Sequence, residues 1–166
     1  GGSQEYVRKI LRSIPEIRLA SPVVRIESSG TQHRVITQDG DAQAYDEVVI
    51  AAHADEALAM LDAPTEAERA VLGAFRYQKN MAYLHRDTSI MPRRRSCWAS
   101  WNYQADGKEG VAVTYWMNRL QNIDERYPLF VTLNPAQPIA QDKLFNAHAF
   151  THPVFTNEAV AAQARI

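Results

Sequence analysis

The sequence predicts an α+β chain, with a short α/β part followed by a mixed or antiparallel sheet. Three observations carry that prediction. First, Val48-Val49-Ile50-Ala51-Ala52 is an unbroken apolar run that leads directly into Asp55-Glu56-Ala57-Leu58. Such a run suits a strand buried on both faces, the kind used in parallel sheets. A buried strand entering a helix is half of a βαβ unit, and the crevice at the strand's C-terminal end is a place for a ligand. Second, the texture changes at Ala63-Pro64-Thr65, beyond which short strand-like segments dominate. Third, helical patterns bracket these strands at both ends of the chain.

The elements follow in order. Tyr6, Val7, Ile10, Leu11 and Ile14 recur at spacings of three and four, a helical stripe that Pro15 ends. Ile17-Arg18-Leu19 reads as a short strand and Val23–Ile26 as another, with a turn at Ser28-Ser29-Gly30. His33–Thr37 returns, and Asp39-Gly40 is a hairpin signal. The run Val48–Ala52 comes next, with Asp55 placed to cap the helix carrying Ala57, Leu58, Met60 and Leu61. Thr65 with Glu68 forms a capping box for a helix that stops at Gly73. Strands are expected at 75–85, 96–103, 111–117, 130–133 and 144–150, with connections at Ala105-Asp106-Gly107-Lys108 and Asn134-Pro135. Thr156–Arg165 is Ala-rich and helical, with Asn157 as a candidate N-cap.

With 166 residues, the chain is long enough to bury a core. Its net charge is −1 and both signs are mixed throughout, which argues against a nucleic-acid partner bound by a basic field. No apolar run approaches the ~20 residues of a membrane helix. The single Cys97 excludes an internal disulfide and fits a reducing, cytoplasmic setting. Beside Trp98, Cys97 is expected to be buried in a strand.

Pro22-Val23-Val24-Arg25-Ile26, the turn at Asp39-Gly40 and Tyr45-Asp46-Glu47-Val48-Val49-Ile50-Ala51 together resemble the middle of a flavin-containing amine oxidase. A narrower resemblance, to a bacterial group of NAD/FAD-binding proteins, rests on pieces spread over nearly the whole chain. They are His53-Ala54-Asp55, Leu84-His85, Met91-Pro92-Arg93-Arg94, Trp98–Tyr103, Tyr115–Gln121, Val131–Pro135 and His152-Pro153. The sequence contains no Gly-x-Gly-x-x-Gly, the loop that brings a dinucleotide's pyrophosphate against backbone N–H groups. The resemblance implies that the chain is an internal fragment. The loop would lie upstream, and the flavin-contacting strand and helix beyond Ile166.

On this reading, residues 1–62 are part of a FAD-binding domain, 63–152 a substrate domain with a mixed sheet, and 153–166 the start of a return helix. The resemblance implies that Val23 binds the adenine of FAD through its backbone, which Pro22 helps to hold extended. By itself Val23 reads as an ordinary strand valine, and the resemblance brings the two readings level. Ala51 and Ala52 permit close approach of a cofactor, and His53 either joins them or satisfies a helix end. The aromatic set Trp98, Trp101, Tyr103, Tyr115 and Trp116 is the candidate substrate wall or, alternatively, core packing. Asn102, Asn118 and Asn134 read as turn or hydrogen-bonding residues. Arg93-Arg94-Arg95 reads as a solvated loop. His148 and His152 lack the companions of a metal site, so no metal is expected. No acid–base pair stands out.

The expected function is that of a FAD-dependent oxidoreductase acting on an amine or a lipid-like small molecule by hydride transfer. The fragment alone is expected to be inactive and prone to self-associate as a homodimer. The alternatives are a non-catalytic ligand- or partner-binding domain on a flavoprotein-like scaffold, and a transferase or hydrolase with an unrelated sheet.

Overall fold

The computed structural model describes residues 3–105 and 111–165. Residues 106–108 of the expected connection after Ala105 lie outside the described residues. Helices and antiparallel sheets are both present, so the chain is α+β. After α1 (Ser3–Leu11) come β1 (Val23–Ser29), β2 (Gln32–Thr37) and β3 (Ala42–Tyr45), an antiparallel sheet of order β1-β2-β3. Its two turns use Gly30 at φ 60° and Gly40 at φ 88°, where a side chain would be strained. The strand expected at Ile17–Leu19 does not form. It has no partner in either sheet, and the adjacent Ala20 turns to φ 53°.

The segment Val48–Ala52 departs from expectation. It enters neither sheet, and Val49 is 91% exposed. The apolar pattern encodes burial on two faces, but a strand also needs neighbours, and among the described residues none pairs with it. The chain returns to β1 only after α2 (Ala54–Met60), where Leu61 bridges Ile26 and the Asp62 N–H donates to the Ile26 carbonyl at 3.0 Å.

Residue chemistry also moves two helix caps. His53 caps α2 in place of Asp55, and the Glu56 carboxylate accepts the His53 N–H at 3.4 Å. Asp55 falls in the first turn, where a negative charge suits the helix dipole. In α3 (Glu66–Leu72) the expected capping box forms. Glu68 N–H donates to Thr65 Oγ1 at 3.2 Å, and Thr65 N–H donates to the Glu68 carboxylate at 2.6 Å. Gly73 is the C-cap of this helix, and a Cβ there would meet the Arg69 carbonyl at 2.6 Å. Thr156 rather than Asn157 caps α5 (Asn157–Gln163), accepting from Ala159 N–H at 3.2 Å.

β4 (Arg76–His85), β5 (Trp101–Ala105), β6 (Val111–Trp116), β7 (Phe130–Leu133) and β8 (Leu144–Val154) form a second sheet of order β5-β6-β7-β4-β8. α4 (Met117–Gln121) joins β6 to the loop before β7. The strand expected from Ser96 begins only at Trp101. Asn102 folds the chain back beforehand: its Oδ1 accepts Ala99 N–H at 3.0 Å and its Nδ2 donates to the Ala99 carbonyl at 2.7 Å. Trp98 therefore follows a short 3-10 turn (Arg95–Cys97), and Cys97 is exposed rather than buried. Asn118 ties the next loop in the same manner, accepting Leu129 N–H at 2.7 Å and donating to the Asp124 and Tyr127 carbonyls at 2.9 Å.

Two compact units result. One comprises Gly1–Lys9 and Lys79–His152, the other Ile10–Gln78 and Pro153–Ile166. In the first, Met91, Trp116 and Phe130 form a buried cluster with Trp98 packed against it. The second buries smaller groups: Ile26, Ala57, Val71, Ala159 and Ala162.

Candidate functional site

Two places carry the residues singled out by the sequence. In the Ile10–Gln78 unit, β1 and β2 present Val23, Ile26 and Val35 on one wall of a cavity of about 440 Å³. The unpaired segment Val48–Ala52 and Met60 supply the rest of the apolar lining, and Tyr45 and Glu47 add polar groups. Val23 on β1 and Ala51 and Ala52 in the unpaired segment thus share one cavity. Val23 is held extended by pairing with Thr37, and the preceding Pro22 carbonyl accepts Gln38 N–H at 2.9 Å. The volume lies within the ~300–1,000 Å³ range of small-molecule sites. The lining suits a flat apolar ring. It contains no cationic side chain for a pyrophosphate.

His53 does not line this cavity. Its ring stacks on Tyr77, with centroids 4.3 Å apart and planes 18° apart. The Tyr77 hydroxyl in turn accepts Ala54 N–H at 2.7 Å, fixing the start of α2. Ile26, Val35 and Met60 were not singled out in the sequence. The available signal was their place in apolar stretches: Ile26 and Val35 in the two strands of the hairpin, and Met60 at the end of α2.

The second place is the five-stranded sheet, whose two faces differ. Trp101 pairs with Tyr115, Tyr103 with Val113, Tyr115 with Val131, Val113 with Leu133, and Leu133 with Ala82. Directly paired residues share a face, so these form one uncharged floor. Trp101 and Tyr103 are exposed on it, and Tyr115 is half-buried. The rings of Trp101 and Tyr115 meet edge to face at 5.7 Å. Trp98 and Trp116 do not join this floor. They pack edge to face at 5.3 Å in the buried cluster, and Trp98 Nε1 donates to the Pro92 carbonyl at 2.7 Å. The Arg95 guanidinium lies 4.7 Å from the Trp98 ring and pairs with Glu125 at 2.5 Å, and the run Arg93–Arg95 is exposed, as a solvated loop would be.

The opposite face buries a polar chain. His85, Thr132 and Thr114 are fully enclosed. Asp87 N–H donates to His85 Nδ1 at 3.1 Å, which leaves Nε2 as the ring's donor to Thr132 Oγ1 at 2.7 Å. Thr132 Oγ1 lies 2.9 Å from Thr114 Oγ1. Burial pushes the His85 pKa down, against a smaller opposing pull from Asp87. For Asp87, burial acts upward, yet hydrogen bonds from Ser89, Lys143 and the Ala140 and Ser89 backbone hold the carboxyl well below its ordinary range.

Among the described residues, no group of three or more His, Cys, Asp or Glu side chains is arranged to hold a metal ion. No helix among them is long and apolar enough to cross a membrane. No protein-family model matches the chain, and no curated protein matches it. Among solved structures, the chain's fold is similar to part of the CLA-producing fatty acid isomerase from P. acnes, with a TM-score of 0.57 at 13% identity. The match covers 89% of this chain and 39% of the isomerase, so the chain spans well under half the length of that enzyme.

Proposed function

We propose that this chain is an internal segment of a FAD-dependent oxidoreductase of the flavin-containing amine oxidase type. The observation that carries the reading is the cavity walled by Val23, which the resemblance connects with the cofactor, and by Ala51 and Ala52, whose small side chains permit its close approach. The likeness to part of a fatty acid isomerase supports it as a fold relation. Val23 would hold the cofactor's adenine end through its backbone, and the small side chains of Ala51 and Ala52 would admit the ring. FAD, when bound, would supply the acceptor for a hydride taken from the substrate. The uncharged floor of Trp101, Tyr103 and Tyr115 would orient the substrate and keep water from it. An amine or a lipid-like molecule fits that floor, and the isomerase's fatty acid favours the lipid.

The test is an absorbance spectrum of the protein made from the complete reading frame that contains this chain. Flavin bands, with FAD released on denaturation, are expected. A colourless protein that takes up no added FAD would overturn the reading and favour a ligand- or partner-binding scaffold.

A further inference from the structure

The uncharged floor ends at an oriented imidazole. Met81 N–H donates to Asn134 Oδ1 at 3.0 Å. A backbone N–H can only donate, so the Asn134 amide is fixed, and its Nδ2 donates to Asn80 Oδ1 at 2.7 Å. Asn80 Nδ2 must then donate to His152 Nδ1, 2.9 Å away. The neutral ring therefore carries its proton on Nε2. Asn80 is buried, whereas His152 is exposed, so the amide chain fixes a side chain that faces solvent. Asn134 holds this arrangement from the left-handed region, at φ 46°, which asparagine adopts more readily than most non-glycine residues.

This group sits on the floor's own face. Asn80 and Ala82 are two apart on β4, and Ala82, Leu133, Val113 and Tyr103 form one directly paired row across the sheet. β8, which carries His152, is the edge strand beside β4. From β8 to β5 is four interstrand steps, or ~19 Å at about 4.8 Å each. Phe150 extends the apolar surface on the β8 side, its ring 6.3 Å from that of His152.

We propose that this face binds a long-chain carboxylate as a single molecule. Its tail lies along Leu133, Val113 and Tyr103, beyond the buried Ala82, and its head accepts from His152 Nε2. The uncharged row selects an apolar tail, and the donor at its end selects an acceptor head. His152 is a positioning residue here. The inference rests on the reading of Lys79–His152 as the substrate-side unit, but palmitate binding requires no flavin, so the two fail separately.

The experiment is equilibrium binding of palmitate and of hexadecanol, both below micelle-forming concentrations, to the 166-residue chain. Palmitate should bind, and His152→Ala should weaken it about tenfold while leaving hexadecanol unchanged, as expected for loss of a hydrogen bond to a charged group. His152→Gln, which keeps a donor, should recover part of the loss. Asn134→Gly keeps the left-handed backbone but breaks the amide chain, and should give a smaller loss in the same direction. Tyr103→Ala should weaken both ligands alike. No palmitate binding, or equal palmitate affinity in wild type and His152→Ala, would overturn the proposal. So would binding to phosphatidylcholine vesicles without binding of free palmitate, which would make the face a membrane contact.

Discussion

The Lys79–His152 unit and the Ile10–Gln78 unit solve the problem of an apolar sequence in opposite ways. The first closes on large groups: Phe130, Trp116, Met91 and Ile90 are buried, and every buried polar side chain among the described residues lies in it. Those polar groups are hydrogen-bonded to side chains or to backbone. The second buries Ile26, Val71 and a few alanines, and leaves Val48–Ala52 unpaired along a cavity. Closure fixes a surface, and the floor of Trp101, Tyr103 and Tyr115 stands on a rigid polar and aromatic base. Incomplete closure leaves room, and the cavity beside Val23 is that room.

The sharpest way to break this contrast is truncation at each centre. Phe130→Ala should cost about 3–5 kcal/mol of unfolding free energy, because a fully enclosed ring is lost from a packed cluster. Val49→Ser should stay within about 0.5 kcal/mol, since its side chain already meets solvent. Urea unfolding of the two variants checks both. A Val49→Ser cost near that of Phe130→Ala would mean that the exposed run is packed in solution.

Acid provides the next test. The folded Lys79–His152 unit holds His85 below its ordinary value of 6.5, so the unfolded chain takes up that proton first. Stability from this group is full above pH 6.5 and declines as the pH falls below it. Asp87 is held below its ordinary 3.8, so its contribution is present above pH 3.8 and is lost on further acidification. Urea midpoints followed by Trp98 and Trp116 fluorescence should fall in these two windows. Thr132→Val should cost about 1–3 kcal/mol by leaving the buried His85 donor unsatisfied.

Filling the cavity is the complementary experiment on the open unit. In the protein from the complete reading frame, Ala52→Phe should lower flavin content about tenfold or more, by occupying space a ring would need. The Phe130-centred unit should unfold as before. The smallest expected effect is local: Thr65→Ala should cost about 1 kcal/mol through loss of the α3 cap.

Local chemistry was the legible part of the sequence. The Thr65–Glu68 box, the stop at Gly73 and the turn at Gly40 all depend on neighbours within a few residues, and the strands at 111–116 and 130–133 are marked by their local apolar pattern. The Asn residues at strand ends also act as the hydrogen-bonding positions their type suggests. What was not legible depends on distant partners. Val48–Ala52 has the composition of a buried strand, but pairing is a property of other segments. Trp98 looked like a strand residue, but Asn102 turns the chain first. The His85–Thr132 bond spans 47 residues, and no spacing rule reports it. At the candidate sites, the residue types were readable, while their division between floor, core and cavity required the register.

Residue-level hydrogen exchange on the native chain tests the contrast most directly. Amides of β6 and β7, interior to the five-stranded sheet, should be among the slowest, while those of Val48–Ala52, outside both sheets, should exchange nearly as fast as an unfolded chain. Protection of Val48–Ala52 equal to that of β7 would contradict the account, because the segment would then be closed and the cavity beside Val23 would not be open.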